Sequence, residues 1–458
     1  MALADTTGGR LAQRLKWGAL AARLRGWRRD GSDRSVAQRI AGAAFLIRVA
    51  SAAIIYLTQV LLARWMGRFE FGIYVYVWAW VGFLGMLSPL GVAYSAQRFI
   101  PEYRTREDHA GLRGFLRGSR WLCLALGVGA GAALAGTVWL VADRIASYYF
   151  VPFMIASLAL AIFAVSSVQD SIARAFNRID LALVPGYVAH PLLIMTTMAA
   201  IHFSGMPVTA RDALIAACAA FWVVVLAQGV LLERRLGRDV APGARRYEVA
   251  TWIKTSLPIF LVDSFFILLT YVDILVLQAF VGPAEVAVYY AATKTLVMIS
   301  FVYFAVAAAS AHRFSQYHVS GETEKLARFV SDTIRWTFWP SLALAIGLLI
   351  VGKPLLSLFG PGFSEGYPLI FVLVIGLLAR SSVGPSERLL NMVGQQTACA
   401  IIYACAFATN LVLCLVLIPR FGLIGAAAST ATAIVTESTL LFVITKRRLG
   451  LHIFVFGR

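Results

Sequence analysis

The chain has 458 residues, 60% of them apolar and 14% charged, with a mean hydropathy of +0.76. So much apolar surface cannot be hidden inside a water-soluble domain, which excludes a globular soluble protein and leaves a membrane protein. The formal net charge of +18 would also suit a nucleic-acid binder, but here the positive charge follows membrane topology, so no nucleic-acid partner is expected.

In chain order, a basic tail comes first, with Arg10, Arg14, Lys16, Arg23, Arg25, Arg28, Arg29, Arg34 and Arg39. It reads as a cytoplasmic segment, partly helical on the anionic inner leaflet with Trp17 and Trp27 as interfacial anchors, or as a disordered tail. More basic sequence rather than a short apolar run follows the start, so no cleavable signal peptide is expected. A helix crossing the hydrocarbon core needs roughly 20 apolar residues. About twelve stretches qualify: 40–63, 72–95, 122–141, 150–169, 181–201, 214–232, 257–279, 286–310, 338–355, 369–383, 397–418 and 423–445. The expected fold class is an all-α membrane protein with six helices in each of two lobes, 40–232 and 257–445. A cytoplasmic linker, 233–256, joins them, and a short tail, 446–458, ends the chain.

Lys and Arg decide the orientation. Followed helix by helix, one side receives the basic tail, Arg104, Arg106, Arg113 and Arg117, then Arg234, Arg235, Arg238, Arg245 and Arg246, then Lys325 and Arg328, then Lys446, Arg447 and Arg448. The other receives Arg64, Arg68, Arg144, Arg211, Lys353 and Arg420. Both termini are therefore expected in the cytoplasm.

A duplication underlies this plan. Gly67 to Trp121 reappears without a gap from Gly282 to Trp336, displaced by 215 positions: Tyr74 matches Tyr289, Ser95-Ala96 matches Ser310-Ala311, and Arg120-Trp121 matches Arg335-Trp336. Six helices per lobe make both lobes start on the same side, the parallel-repeat arrangement of many transporters. Gly82, Gly85, Pro89 and Gly91 interrupt the second helix, and Pro185 and Pro191 the fifth, as kinks or bending points. Gly127 and Gly131 form a small-xxx-small pair suited to helix packing. Cys123, Cys218, Cys399, Cys405 and Cys414 lack CxxC spacing and read as buried thiols.

Ionisable groups inside hydrocarbon are costly and mark functional candidates. Arg48 in the first helix and Asp263, its repeat mate in the seventh, are expected to face each other across a central cleft as a gate or latch. Asp273 and Lys294 share a level on consecutive antiparallel helices and read as partners; their mates are the uncharged Thr58 and Ala79. Glu437 and His190 complete the set. A structural ion pair locking a hairpin is one reading of Asp273 and Lys294. In the other, Arg48 and Lys294 attract an anionic headgroup, and Asp263, Asp273, Glu437 or His190 serves ion coupling or gating. No HExxH, GxSxG or phosphate loop ending in GK[ST] occurs, so no catalytic residue, metal or cofactor is expected. His109, His312 and His318 read as solvated.

SAQRFIPEY from Ser95, YVDILVLQAFVGPAEVAVYYAATKTL from Tyr271, ARAFNRIDLAL after the fourth helix and RLLNMVGQQTA after the tenth resemble the oligosaccharide flippases. These polysaccharide transporters belong to the multidrug/oligosaccharidyl-lipid/polysaccharide (MOP) superfamily. The resemblance covers nearly all of the chain after the basic tail. It implies a bacterial inner-membrane protein that moves a lipid-linked oligosaccharide, commonly on undecaprenyl pyrophosphate, to the outer leaflet by alternating access. The cargo would feed O-antigen, capsule or exopolysaccharide assembly, with a polysaccharide polymerase and export machinery as partners. The rivals are an ion-coupled multidrug exporter of the same superfamily, a lipid II flippase, which typically adds two helices, and a polytopic glycosyltransferase or polymerase.

Overall fold

The computed structural model describes the backbone of residues 33–456 and the side chains of 47–456 except Val262. The tail segment with Trp17 and Trp27 lies outside the described residues. Residues 1–50 and 51–458 form two units and are described separately. Of the first, helical backbone runs from Asp33 onward.

No strand occurs among the described residues. In lipid no water can satisfy backbone amides and carbonyls, so spanning segments satisfy them internally as helices. The helices are α1 (Asp33–Leu87), α2 (Val92–Thr105), α3 (His109–Leu140), α4 (Ser147–Ala175), α5 (Ile179–Val184), α6 (His190–Phe203) and α7 (Ala210–Asp239). Then come α8 (Val249–Leu277), α9 (Pro283–Val319), α10 (Thr323–Ser357), α11 (Tyr367–Val383), α12 (Ser386–Met392) and α13 (Gln396–Leu449). A π-turn, Pro185–Ala189, joins α5 to α6.

Nine segments among the described residues are long and apolar enough to cross a membrane, and α8, bent by 50° between Leu261 and Asp263, makes ten. Two of the ten cross twice. Gly67 interrupts α1 at φ 76°, and Gly422 interrupts α13 at φ 55°. Residues on either side of Gly67, such as Gln59 and Tyr74, line one cavity, so the chain folds back there. The fold is thus one of about twelve helices in two lobes. Gly67 and Gly282 occupy the same place in each lobe, the turn between its first two helices, with Pro283 at the first position of α9, where its missing N–H costs nothing.

At this end the two lobes are closed against each other. A Cβ on Gly72 would lie 1.8 Å from the Pro283 carbonyl oxygen, so the two backbones touch directly. Arg68 pairs with Glu365 at 2.9 Å, and Phe71 packs on Tyr290 and Phe363 at centroid separations of 6.0 and 6.2 Å.

The basic face is organised by the chain between α7 and α8. Asp108 caps α3 by accepting from the Gly111 amide at 2.9 Å, and Arg246 reaches it at 2.5 Å while also pairing with Glu248 at 2.7 Å. The amide of Gly111 first, then the Arg246 guanidinium, hold the Asp108 carboxyl below its usual range. Trp252 at the start of α8 is fully buried against Phe115 and donates to the Tyr103 hydroxyl at 3.1 Å.

Several expectations meet the structure here. Gly127 and Gly131 lie against Ala161 and Ser157 backbone, so the small pair packs α3 onto α4. The second helix does not break at Gly82 or Gly85; it ends at Leu87 and restarts at Val92, through Leu90 at φ 47° and Gly91 at φ 79°. Four cysteines are buried, but Cys405 is exposed, so the expectation of five buried thiols holds for four of them. His109, His312 and His318 are exposed.

Candidate functional site

Below the closed end lies a cavity of about 310 Å³, lined from both lobes. Thr58, Gln59, Tyr74 and Trp78 come from the two arms of α1, Gly186 and His190 from the π-turn and α6, Thr270 and Tyr271 from α8, and Tyr290 and Lys294 from α9. Lys294 is the one formally charged side chain among the described lining residues. Its Nζ sits 4.8 Å from the centre of the Tyr290 ring, whose negative face stabilises the cation away from bulk water.

His190 also faces the cavity, but its ring is held. It stacks on Trp78 at 5.8 Å, lies 4.9 Å from Phe221, and Nε2 is 3.1 Å from the Ala217 carbonyl, which makes that nitrogen the donor. The π-turn puts it there: Pro185 lacks an N–H, the amide of His190 bonds back to the Pro185 carbonyl, and the extra residue in the turn sets Gly186 and His190 on the cavity side. An aromatic wall with hydroxyls, an amide and one cation can stack sugar rings and neutralise an anion.

Asp273 and Lys294 form no direct ion pair, although the two charges attract each other across the space between α8 and α9. Asp273 is buried outside the cavity lining, where its carboxylate accepts from Tyr289 Oη at 2.8 Å, the Ile274 amide at 2.8 Å and Thr430 Oγ1 at 3.4 Å. Depth along antiparallel helices places two residues at one level but leaves their direction around the helix open, and Asp273 turns toward α13 while Lys294 turns into the cavity. The repeat mate of Asp273, Thr58, donates to the Ile54 carbonyl at 2.8 Å and to Pro191 at 3.4 Å, so the first lobe solves the same position with a neutral hydroxyl.

Glu437 has a partner the sequence reading missed. Arg380 Nη2 lies 3.4 Å from its carboxylate, and the Arg380 guanidinium lies 4.9 Å over the Tyr303 ring. Arg380 stands within the expected spanning stretch 369–383, three residues from its end, and was not among the sequence candidates. Asp263 is half-buried, and the charges of Glu387 and Arg388 act on it. Arg48 belongs to the first unit and is exposed.

The fold and this cavity define a class: a two-lobed membrane protein with the architecture of the MOP superfamily. Solved structures similar to it include an inward-facing multidrug resistance MATE family transporter of that superfamily, 15% identical, with 89% of this chain and 94% of that one covered at a TM-score of 0.68. The lipid II flippase MurJ in an inward closed conformation is 16% identical over 88% and 87% of the two chains, at 0.69. A MOP superfamily transporter from Pyrococcus furiosus, whose reversed binding-pocket polarity suggests a different function, is 15% identical over 92% and 96%, at 0.66. At these identities the likeness is one of fold. No curated protein matches. The model of a family described as polysaccharide biosynthesis protein matches residues 40–318, more than half of the chain, and that of MatE matches 258–416. The chain belongs to the polysaccharide biosynthesis protein family.

Proposed function

We propose that the protein is a flippase that carries a lipid-linked oligosaccharide, with undecaprenyl pyrophosphate as the carrier, from the cytoplasmic to the outer leaflet of a bacterial inner membrane. The lobes, 40–232 and 257–445, rock about the cavity by alternating access, with both termini in the cytoplasm. The observation that carries this reading is the cavity wall itself, in which the charged side chain is the cation Lys294 among tyrosines, Trp78 and polar groups. A cation in a water-poor aromatic pocket favours an anionic pyrophosphate and stacked sugars over a cationic drug. Arg48 is a second candidate for attracting the headgroup, and Asp263 is a gating candidate. Asp273, Glu437 and His190 are the ion-coupling candidates. Polysaccharide polymerase and export machinery would take up the product, feeding O-antigen, capsule or exopolysaccharide assembly.

In a deletion strain, labelled lipid-linked glycan should accumulate on the cytoplasmic leaflet while its synthesis continues, as read by a leaflet-resolved assay. Normal appearance of the glycan outside rejects the role. The MatE match over 258–416 favours a second reading, an ion-coupled multidrug exporter. In that case the deletion strain sorts its glycan normally and becomes sensitive to cationic drugs.

A further inference from the structure

The two lobes differ in how they treat one arginine. Arg120, near the basic end of α3, is mostly buried and pairs with Glu233 Oε1 of α7 at 2.9 Å. Its repeat mate is Arg335 of α10, displaced by the same 215 positions. Glu233 opens the run ERRLG, and the last helix of the second lobe ends in the matching run KRRLG, from Lys446 to Gly450. The two runs are displaced by 213 positions (446 − 233), two fewer than the repeat, and where the first lobe's run opens with an acid the second lobe's opens with a lysine. At 215 the mate of Glu233 is Arg448, again a cation. Arg335 is exposed and has no hydrogen-bond or ion-pair partner among the described residues. Lys446 turns instead to the Phe442 ring, 5.9 Å away, and Arg448 donates to Gln395 at 2.6 Å.

The unneutralised arginine lines a formed pocket. Past the end of α13 the chain runs back over the bundle as a strap. Ile453 and Val455 are buried, and the Val455 amide donates to the Ser382 carbonyl at 3.0 Å. Between strap and α10 lies a pocket of about 400 Å³ whose polar lining is Arg328, Ser331, Asp332, Arg335 and His452. Arg328 pairs with Glu324 at 3.3 Å, both highly exposed, a contact weak enough to exchange. Asp332 subtracts one charge and leaves the pocket cationic. Trp336 and Trp339, each more than half exposed, follow Arg335 directly and mark the depth at which bilayer headgroups lie.

We propose that this pocket binds a phosphate group at the basic face, supplied by the headgroup of an anionic phospholipid or by the free anion. Guanidinium forks match phosphate oxygens geometrically, and basic pockets between spanning helices on the cytoplasmic side are suited to such headgroups. The bound phosphate takes the place that Glu233 fills in the first lobe and holds the strap against α10. The site is independent of the cavity and of what the cavity carries.

The test uses the full-length protein in nanodiscs of phosphatidylcholine with a minor fraction of phosphatidylglycerol. Native mass spectrometry should find phosphatidylglycerol retained by the wild type, and Arg335→Gln should lower that retention about fivefold, the usual contribution of one cationic side chain at a membrane surface. Lys446→Glu restores the charge pattern of the first lobe. It should lower retention to a similar extent without lowering the unfolding temperature in pure phosphatidylcholine, which separates lost binding from misfolding. A parallel arm adds inorganic phosphate to discs of phosphatidylcholine alone. A rise in unfolding temperature that both substitutions abolish assigns the site to the free anion, and a rise with phosphatidylglycerol alone assigns it to the lipid. Equal lipid retention and equal phosphate response in wild type and both variants overturns the proposal.

Discussion

The second helix of the first lobe and the second helix of the second lobe share a sequence register and part in shape. In the first lobe the chain stops at Leu87, turns through Ser88 to Gly91 and continues as α2; in the second, α9 runs unbroken from Pro283 to Val319. The residues at the break are Pro89, Leu90 and Gly91, and their mates are Phe304, Ala305 and Val306, all compatible with a helix. The turn has a use. Gly91 at φ 79° lets the chain approach the Ser256 carbonyl and the side chain of Phe260, and Ser256 Oγ then donates to Ser95 Oγ at 2.8 Å. The first lobe therefore grips the start of α8, whereas the mate of Ser95, Ser310, only bonds back to its own helix at Val306. A duplicated frame fixes where helices cross, and a three-residue change decides which lobe holds the other.

Exchanging residues between the lobes breaks or sharpens this comparison. The largest effect belongs to Gly91→Val, which imports the second-lobe residue. A β-branched residue is strained at that φ, and its Cβ would stand 2.5 Å from the Ser256 carbonyl oxygen. Loss of about 3 kcal/mol or more is expected, visible as aggregation or a lowered unfolding temperature in detergent; wild-type stability would refute the grip. Next is Lys294→Ala, which makes the cavity wall match Ala79 of the first lobe. Leaflet-resolved transport should fall about tenfold or more, equivalent to about 1.4 kcal/mol, at unchanged membrane expression, and Arg48→Ala should act in the same direction. Asp273→Thr copies Thr58. It should keep the fold, since the hydroxyl solution already exists in the first lobe, and flatten the dependence of transport on the ion gradient; intact coupling would remove Asp273 from the candidates.

The smallest effect is at the basic face. Asp108→Ala removes the α3 cap and one partner of Arg246, with an expected cost of about 1 kcal/mol. Because the folded carboxyl lies below its ordinary value, its contribution is full above pH 4 or so and is lost as pH falls through the lowered folded value. Unfolding of the wild type and of Asp108→Ala should therefore converge at acid pH and diverge at neutral pH.

The crossings were legible because a bilayer demands long apolar segments, and the hairpin turns because Gly67 and Gly282 recur in register. The tight α3–α4 contact was legible in Gly127 and Gly131, and the bend in the fifth crossing in Pro185. Direction around a helix was not. It decided that Asp273 meets Tyr289 and Thr430 rather than Lys294, and that Glu437 meets Arg380 across three-dimensional space with no sequence spacing to announce it. The same gap hid that Cys405 is exposed.

The contact between Gly72 and the Pro283 carbonyl has a mechanical consequence. Backbone rests on backbone there, with no side chain between Gly72 and Pro283 to disengage, so a rocking motion about that point would strain only the rings beside it, Phe71 against Tyr290 and Phe363. The sealed end can then serve as a bearing, and the work of opening would fall on the Arg68–Glu365 clasp and the Phe71 ring contacts beside it.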